Sequence, residues 1–215
     1  NDEQVEVILR HAILPGSKPM RDVKATGIDA PGPSAEVILT PFAPCRQIRT
    51  CSVTLSLHPG YARLEYALEG DLGTFNLKPD GPVGRADGLW RDTCFEAFFI
   101  GVTGAYTETN ASLSHAWNLY RFEDYRTDMR ESVASAPDVT SALQSGSLRV
   151  SVGWELSALG PFTGFKPTVV LGEGSARHYF APAHPGGARP DFHGVEGYVP
   201  RPRATCAPQQ ETTHG

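Results

Sequence analysis

The chain has 215 residues, of which 40% are hydrophobic, 20% charged and 9% aromatic, the composition of a globular protein with a sizeable core. Its net charge of −5 and its pI near 5.8 argue against a nucleic-acid partner, which would need a clustered basic face. No apolar run approaches the roughly 18 residues that a membrane-spanning helix requires. We expect a soluble protein, with the cytoplasm slightly favoured over the periplasm or secretion and the oligomeric state left open.

The two ends of the chain differ in character from its middle. Residues 1–35 open with a short strand-like run and continue through turn-forming prolines and glycines, which predicts a loosely ordered arm. Residues 201–215 are polar and lack periodicity, which predicts a loose tail. We assign residues 36–200 to one domain, because an all-β sandwich commonly uses this length.

Between these ends, hydrophobic residues recur at every second position. Val53, Leu55 and Leu57 alternate with hydroxyl residues, the pattern of a strand with one face in the core. Residues 61–68 and 148–156 alternate in the same way. Further strands are predicted at residues 37–39, 74–77, 94–100, 106–111, 116–122, 168–171, 178–181 and 195–199.

This pattern predicts an all-β fold, an antiparallel β-sandwich of the immunoglobulin or jelly-roll kind with little helix. One short helix is expected within residues 131–144, where Pro137 works against it. The side chains predicted to be buried between the two sheets are Val53, Leu55, Leu64, Tyr66, Phe98, Val150, Val152 and Trp154.

The strand at residues 94–100 stands out among these elements. It is apolar on both faces except for Glu96, so we place it in the centre of a sheet that is covered on both sides. A carboxylate in that position must be met by a partner or a ligand, because an unpaired buried charge costs several kcal/mol.

The four cysteines show neither the paired spacing of a zinc site nor the density of a disulfide-stabilised fold, so no metal site is expected. Cys94 lies inside the apolar strand and is predicted to be buried and unpaired. A bridge between Cys45 and Cys51 stays open, and it would require an oxidising compartment.

Residues 89–96 read Leu-Trp-Arg-Asp-Thr-Cys-Phe-Glu, and further blocks follow at residues 106–110, 117–129 and 184–193. In order and approximate spacing, these four blocks resemble those of the bacterial DOMON-like proteins, a family related to type 9 carbohydrate-binding modules. The first block is the most specific, and the resemblance covers about residues 36–200.

The resemblance implies an antiparallel β-sandwich that binds a small ligand. Relatives bind sugars or haem, and the ligand does not follow from the fold. Residues 109–115 depart from the family pattern, because they lack two aromatic residues, a proline and a turn glycine. A ligand surface formed there is expected to be altered or lost.

Trp90 and Glu96 are the leading candidates for ligand contact. They lie six residues apart, and this even spacing places them on one face of a continuous strand. An indole stacks on the apolar face of a sugar ring while a carboxylate meets its hydroxyls, and the carbohydrate-binding relatives similarly use a Trp followed by a Glu. The alternative is structural, with Trp90 in the core and Glu96 paired to Arg121 or Arg126.

Five further residues complete the predicted ligand site. Trp117 and Arg121 belong to an aromatic and basic cluster in one strand, where alternation places half of the cluster in the core. His184, Asp191 and His193 stand in segments that resemble the family's own, and we expect their loop to close one side of the site.

The leading hypothesis is a non-catalytic module that binds a small ligand, and we favour a sugar, with no cofactor. A haem b domain is the first alternative, with Met129 and His193 as candidate axial ligands. A structural or interaction domain without a small ligand is the second. An enzyme is not favoured, because the sequence has no nucleophile elbow, phosphate loop or dinucleotide motif. Glu96 and Glu108, or Asp87 and Asp92, could form a glycosidase pair only at a separation of roughly 5 to 10 Å.

Overall fold

Fourteen β-strands dominate the fold, which the computed structural model describes for residues 32–203. Strands make up 51% of the structure and helices 4%, and two sheets pack as a sandwich, so the predicted all-β class is confirmed. A 3₁₀ turn spans Leu89–Arg91 and a single α-helical turn, α1, spans Leu156–Leu159. The strands are β1 Ser34–Ile38, β2 Thr40–Pro41, β3 Ile48–His58, β4 Tyr61–Gly70, β5 Gly84–Arg85, β6 Cys94–Ile100, β7 Tyr106–Ala111, β8 Ala116–Phe122, β9 Arg130–Glu131, β10 Asp138–Gln144, β11 Ser147–Glu155, β12 Gly164–Glu173, β13 Ala176–Ala181 and β14 Val199–Pro200.

The two sheets differ in size. The smaller sheet has the strand order β1-β3-β4-β11-β10, and the larger has the order β2-β13-β12-β6-β7-β8-β5, with β14 beside β12 and β9 beside β8. All pairs are antiparallel except β5 and β8. Strand β6 therefore lies in the middle of the larger sheet, flanked by β12 and β7.

Period-two alternation explains how the sheets face each other. Val53 and Leu55 of β3 point into the sandwich and are fully buried, while their hydroxyl neighbours point outward. From the larger sheet, Phe95 and Phe99 of β6 and Phe165 of β12 fill the same core. Burying each of these side chains contributes on the order of 1.5–3 kcal/mol.

The larger sheet is buried on its outer face as well. Seven of the eight residues predicted to lie between the sheets do so, but Phe98 is buried on the opposite face of β6, together with Cys94. Phe98 was misplaced because a strand that is apolar on both faces gives no signal for which face is inward. The outer cluster consists of Cys94, Phe98, Tyr106, Tyr120, Phe122, Val170, Ala181 and Phe192.

Three local predictions are wrong. Residues 131–144 hold no helix but the short β9 and the edge strand β10, which pairs with β11 through a turn at Gly146. Pro137 disfavours a helix here, and the pairing with β11 makes residues 138–144 a strand. Residues 74–77 form a turn that runs into irregular backbone rather than a strand. Of the last predicted strand, residues 195–199, only Val199 pairs with β12, as the first residue of β14.

Cys45, Cys51 and Cys94 are buried, and within residues 32–203 none of them forms a disulfide, as predicted for Cys94. Cys206 and almost all of the predicted N-terminal arm and C-terminal tail lie outside the described residues, so the domain boundaries stay predictions. Within residues 32–203 no helix has the length and apolarity that crossing a bilayer requires.

Tyr66 of β4 links the two sheets through a hydrogen bond. Its hydroxyl donates to the backbone oxygen of Glu96, 2.8 Å away in β6, and its ring packs edge-on against Phe95. The side chain is 1% exposed, so both partners of this bond are shielded from water. The bond therefore fixes the smaller sheet against the central strand of the larger one.

Replacing Tyr66 with Phe should lower the free energy of unfolding by about 1–2 kcal/mol, because a buried acceptor loses its donor while the packing is kept. Urea unfolding followed by circular dichroism measures the change. Tyr61→Phe on the same strand is the matched control, since Tyr61 is exposed, and it should cost little. Equal losses in the two variants would contradict the linking role of Tyr66.

Candidate ligand-binding site

The outer face of the larger sheet carries a row of buried polar side chains. The register of β12, β6, β7 and β8 places Thr168, Glu96, Asn110 and Asn118 side by side across four strands. None of the four is more than 2% exposed. Buried polar groups are costly unless they are hydrogen-bonded, so this row requires a complete set of partners.

A cavity of about 510 Å³ opens over this face. Half of its lining residues come from the sheet and half from segments that cross the sheet: the 3₁₀ turn, the loop after β8 and the loop after β13. Its two carboxyl groups come from β6 and β7, its two basic side chains come from the loops, and aromatic rings line the rest. The lining residues are Trp90, Glu96, Phe98, Glu108, Phe122, Arg126, Met129, Val170, Tyr179, Pro190, Phe192 and His193.

Glu96 is the most unusual member of this lining. Its side chain is buried, and its Oε2 accepts a hydrogen bond of 3.1 Å from the hydroxyl of Thr168. Its Oε1 is shielded from solvent and has no hydrogen-bond partner among the described residues. Burial is the main cause that raises the pKa of Glu96, and the negative charge of Glu108 raises it further.

Glu108 brings a second carboxyl group to the same cavity. In the cross-strand register Glu96 lies opposite Asn110, so Glu108 is its diagonal neighbour on β7. The Asn110 amide donates to Oε1 of Glu108 at 2.8 Å, and Nε2 of His193 lies 3.7 Å from Oε2. Burial again is the main cause that raises the pKa of Glu108.

His193 enters the cavity from the loop after β13. Its Nδ1 lies 2.7 Å from the hydroxyl of Tyr106, which also accepts a bond from the backbone N–H of Arg126. Burial, reinforced by the positive charge of Arg126, lowers the pKa of His193 to about 4. The imidazole is therefore neutral at physiological pH.

Two of the covering loops are joined at Asp191. Its carboxylate accepts hydrogen bonds of 2.8 Å from the Tyr125 hydroxyl and 2.9 Å from the Arg126 guanidinium, both in the loop after β8. It also accepts a hydrogen bond from the backbone N–H of His193. Asp191 thus holds the cavity wall in place; it is not among the cavity-lining residues.

Trp90 reaches the cavity by a different route from the one expected. It belongs to the 3₁₀ turn before β6, so it does not share a strand with Glu96, although both line the same cavity. Its ring packs edge-on against Tyr120 at 5.9 Å and stays partly exposed. Gly88 precedes the turn with φ of 73°, a conformation that favours glycine.

Trp117 and Arg121 lie on the opposite face of the sheet from the cavity. Trp117 packs edge-on against Trp154 in the core, with ring centroids 5.9 Å apart. Arg121 donates to the hydroxyl of Ser132 and to the backbone oxygen of Ala158, so the prediction that it pairs with Glu96 is wrong. Alternation puts both on the inner face of β8, where the smaller sheet covers them.

His184 supports the cavity wall from behind. Its Nε2 lies 2.8 Å from the backbone oxygen of Thr40, and its ring packs against Phe42 and Phe192. Phe192 itself lines the cavity. His184 therefore acts through a neighbour rather than by facing the cavity.

The sequence-based site omitted Glu108 and Asn110 as ligand-site residues. A signal for them exists, because β7 reads Tyr-Thr-Glu-Thr-Asn-Ala and is polar on both faces, yet all six residues are buried. When a buried strand has polar side chains on both faces, the side chains on each face need hydrogen-bond partners. Among residues 32–203, no three His, Cys, Asp or Glu side chains converge as metal ligands do.

No family model and no curated protein matches the sequence. Among solved structures, the fold is similar to that of a Bacteroides uniformis protein named a "putative carbohydrate-binding protein". The TM-score is 0.51 at 14% identity, over 75% of this chain and 84% of that one. This likeness establishes a shared fold, and the resemblance to DOMON-like proteins stays a prediction from the motifs.

Replacing Glu96 with Gln should stabilise the protein at alkaline pH. In the folded protein the pKa of Glu96 is raised above its ordinary value of 4.5, so the fold favours the protonated carboxyl group. Its contribution to the free energy of unfolding is fully present below pH 4.5 and is lost as the pH rises through the raised pKa. Because one pKa unit corresponds to about 1.4 kcal/mol, we expect a gain on the order of 1–3 kcal/mol at high pH and little change near pH 4.

Urea unfolding of both proteins across this pH range measures the difference. Glu69→Gln is the control, because Glu69 is exposed on β4 and should leave the pH dependence as it is. A Glu96→Gln variant that is less stable than the parent throughout would mean that the carboxylate is paired inside the fold.

Proposed function

We propose that this protein is a non-catalytic binding module whose ligand is a small carbohydrate, held over the outer face of the larger sheet. The observation that carries the proposal is the incomplete hydrogen bonding of Glu96, a cavity-lining residue whose Oε1 has no hydrogen-bond partner among the described residues. Buried polar atoms are nearly always hydrogen-bonded, so this atom calls for a partner from outside the fold. A sugar hydroxyl suits it in either protonation state, because a hydroxyl both donates and accepts.

The aromatic lining supports a sugar ring in particular. Trp90 is partly exposed in the cavity wall, as a stacking platform must be. The apolar face of a pyranose can pack on the indole while its hydroxyls turn toward Glu96 and Glu108. The similar fold of the Bacteroides uniformis protein is consistent with this assignment.

Glycoside hydrolysis is the alternative to binding, because it also uses two carboxyl groups, one protonated and one ionised. The negative charge of Glu108 raises the pKa of Glu96, so this pair meets that requirement in the same way as other close carboxyl pairs. Release of a monosaccharide from a bound disaccharide would therefore contradict the binding assignment.

The haem alternative fits the cavity less well. Met129 and His193 both line it, which is the one observation in favour of axial ligation. However, Nδ1 of His193 lies against the Tyr106 hydroxyl and Nε2 lies 3.7 Å from Glu108, while Met129 is 54% exposed. These residues therefore do not fit haem ligation. We expect an absorbance spectrum of the purified protein to show no Soret band.

A panel of mono- and disaccharides, followed by tryptophan fluorescence, tests the proposal. Trp90 is the tryptophan at the cavity, since Trp117 and Trp154 pack together in the core. Glu96→Gln should weaken binding of the responsive sugar by about 1–3 kcal/mol while the protein stays folded. Trp90→Ala should weaken binding and remove most of the fluorescence response.

Glu69→Gln, on the other sheet, should bind like the parent protein. If no sugar binds to the folded protein, or if the Glu96 and Trp90 variants bind as the parent does, the site assignment is wrong. The first of these outcomes would favour an interaction domain without a small ligand.

A further inference from the structure

The cavity presents two carboxyl groups and offers them little compensation. Glu96 Oε1 has no hydrogen-bond partner among the described residues, and the carboxyl group of Glu96 is otherwise met by two neutral groups, the Thr168 hydroxyl and the Cys94 thiol. Glu108 is met by the neutral amide of Asn110 and by His193. Within residues 32–203, the hydrogen bonds and ion pairs of these two carboxyl groups therefore involve no lysine or arginine.

The nearby cations are engaged elsewhere. Arg126 lines the cavity, but its guanidinium is bound to Asp191 at 2.9 Å. Lys166 of β12 lies directly opposite Phe98 on the same face of the sheet, and its ammonium donates to the backbone oxygens of Gly194 and Glu196. In the described part of the chain neither forms a hydrogen bond or ion pair with Glu96 or Glu108, and the attraction of Arg126 for Glu108 only partly offsets the effect of burial on the pKa of that group.

Two neighbouring carboxyl groups in a low-dielectric cavity favour a cation over a neutral group, because like charges raise each other's energy and a positive charge lowers both. The partly exposed ring of Trp90 in the lining adds cation–π attraction. We propose that the cavity selects sugars that carry a protonated amino group, placed between Glu96 and Glu108. This selectivity rests on the proposed carbohydrate-binding function and narrows its ligand class.

The proposal has a consequence that neutral sugars do not share. Because an ammonium group favours the ionised carboxylates, its arrival displaces protons that the pair holds in the empty cavity, and binding releases protons to the buffer. The titratable or charged groups around the pair are Tyr66 on β4, Cys94 on β6, Tyr106 on β7, Tyr120 on β8, Lys166 on β12, Arg126 and His193 in the loops, and Tyr198 just before β14.

Isothermal titration calorimetry with D-glucosamine, D-glucose and N-acetyl-D-glucosamine tests the proposal near neutral pH. Glucosamine should bind roughly tenfold or more tightly than either neutral sugar, the scale of one charge-assisted hydrogen bond. Repeating the glucosamine titration in buffers of different ionisation enthalpy should show proton release. Glu96→Gln and Glu108→Gln should each reduce the preference for glucosamine, while Glu69→Gln retains it.

The outcomes separate this inference from the proposed function. Glucose binding as tightly as glucosamine, or glucosamine binding without proton release, overturns the amine selectivity and leaves a carbohydrate site. Cyclohexylamine binding as tightly as glucosamine, with no binding of neutral sugars, overturns the carbohydrate assignment. Neutral-sugar binding by the two Gln variants confirms that they are folded, and a thermal melt serves the same purpose if that binding is weak.

Discussion

The structure depends on one constraint: a carboxyl group is buried in the middle of a sheet that is covered on both faces. Glu96 cannot turn into the sandwich core, because period-two alternation commits Phe95 and Ala97 to that side. It cannot reach water directly either, because three segments cross the outer face. The fold can accommodate it only beside a polar row and a cavity.

That accommodation links stability to binding. Thr168, Asn110 and Asn118 are each satisfied by neighbours in the sheet or its edge, so the row is complete except at Glu96 Oε1. An incomplete polar network lowers stability, and natural proteins retain such features mainly at functional sites. The same oxygen that destabilises the empty protein is thus the strongest reason to assign a ligand to the cavity, while Asp191 keeps the covering loops together.

The strands could be predicted from the sequence wherever their residue pattern does not depend on distant parts of the chain. Alternation at Val53 and Leu55 is a property of the strand itself, and it holds whatever the strand pairs with. The apolar run of β6 likewise requires cover on both faces. The prediction of a helix within residues 131–144 is wrong, because this short, half-polar run has no clear hydrophobic period. Pairing with β11 sets its conformation instead. Local propensity yields to such tertiary contacts.

At the site, the need to compensate Glu96 follows from the sequence alone, since a carboxylate in an apolar strand is costly in any fold. The sequence motif also identifies Trp90, although this residue lies in the turn before β6 and not on the strand itself. The positions of Arg121 on the core side and of Glu108 beside Glu96 at the cavity are known only from the fold. Strand register and the choice of inner face depend on neighbouring strands that are distant in sequence, so no local pattern encodes them.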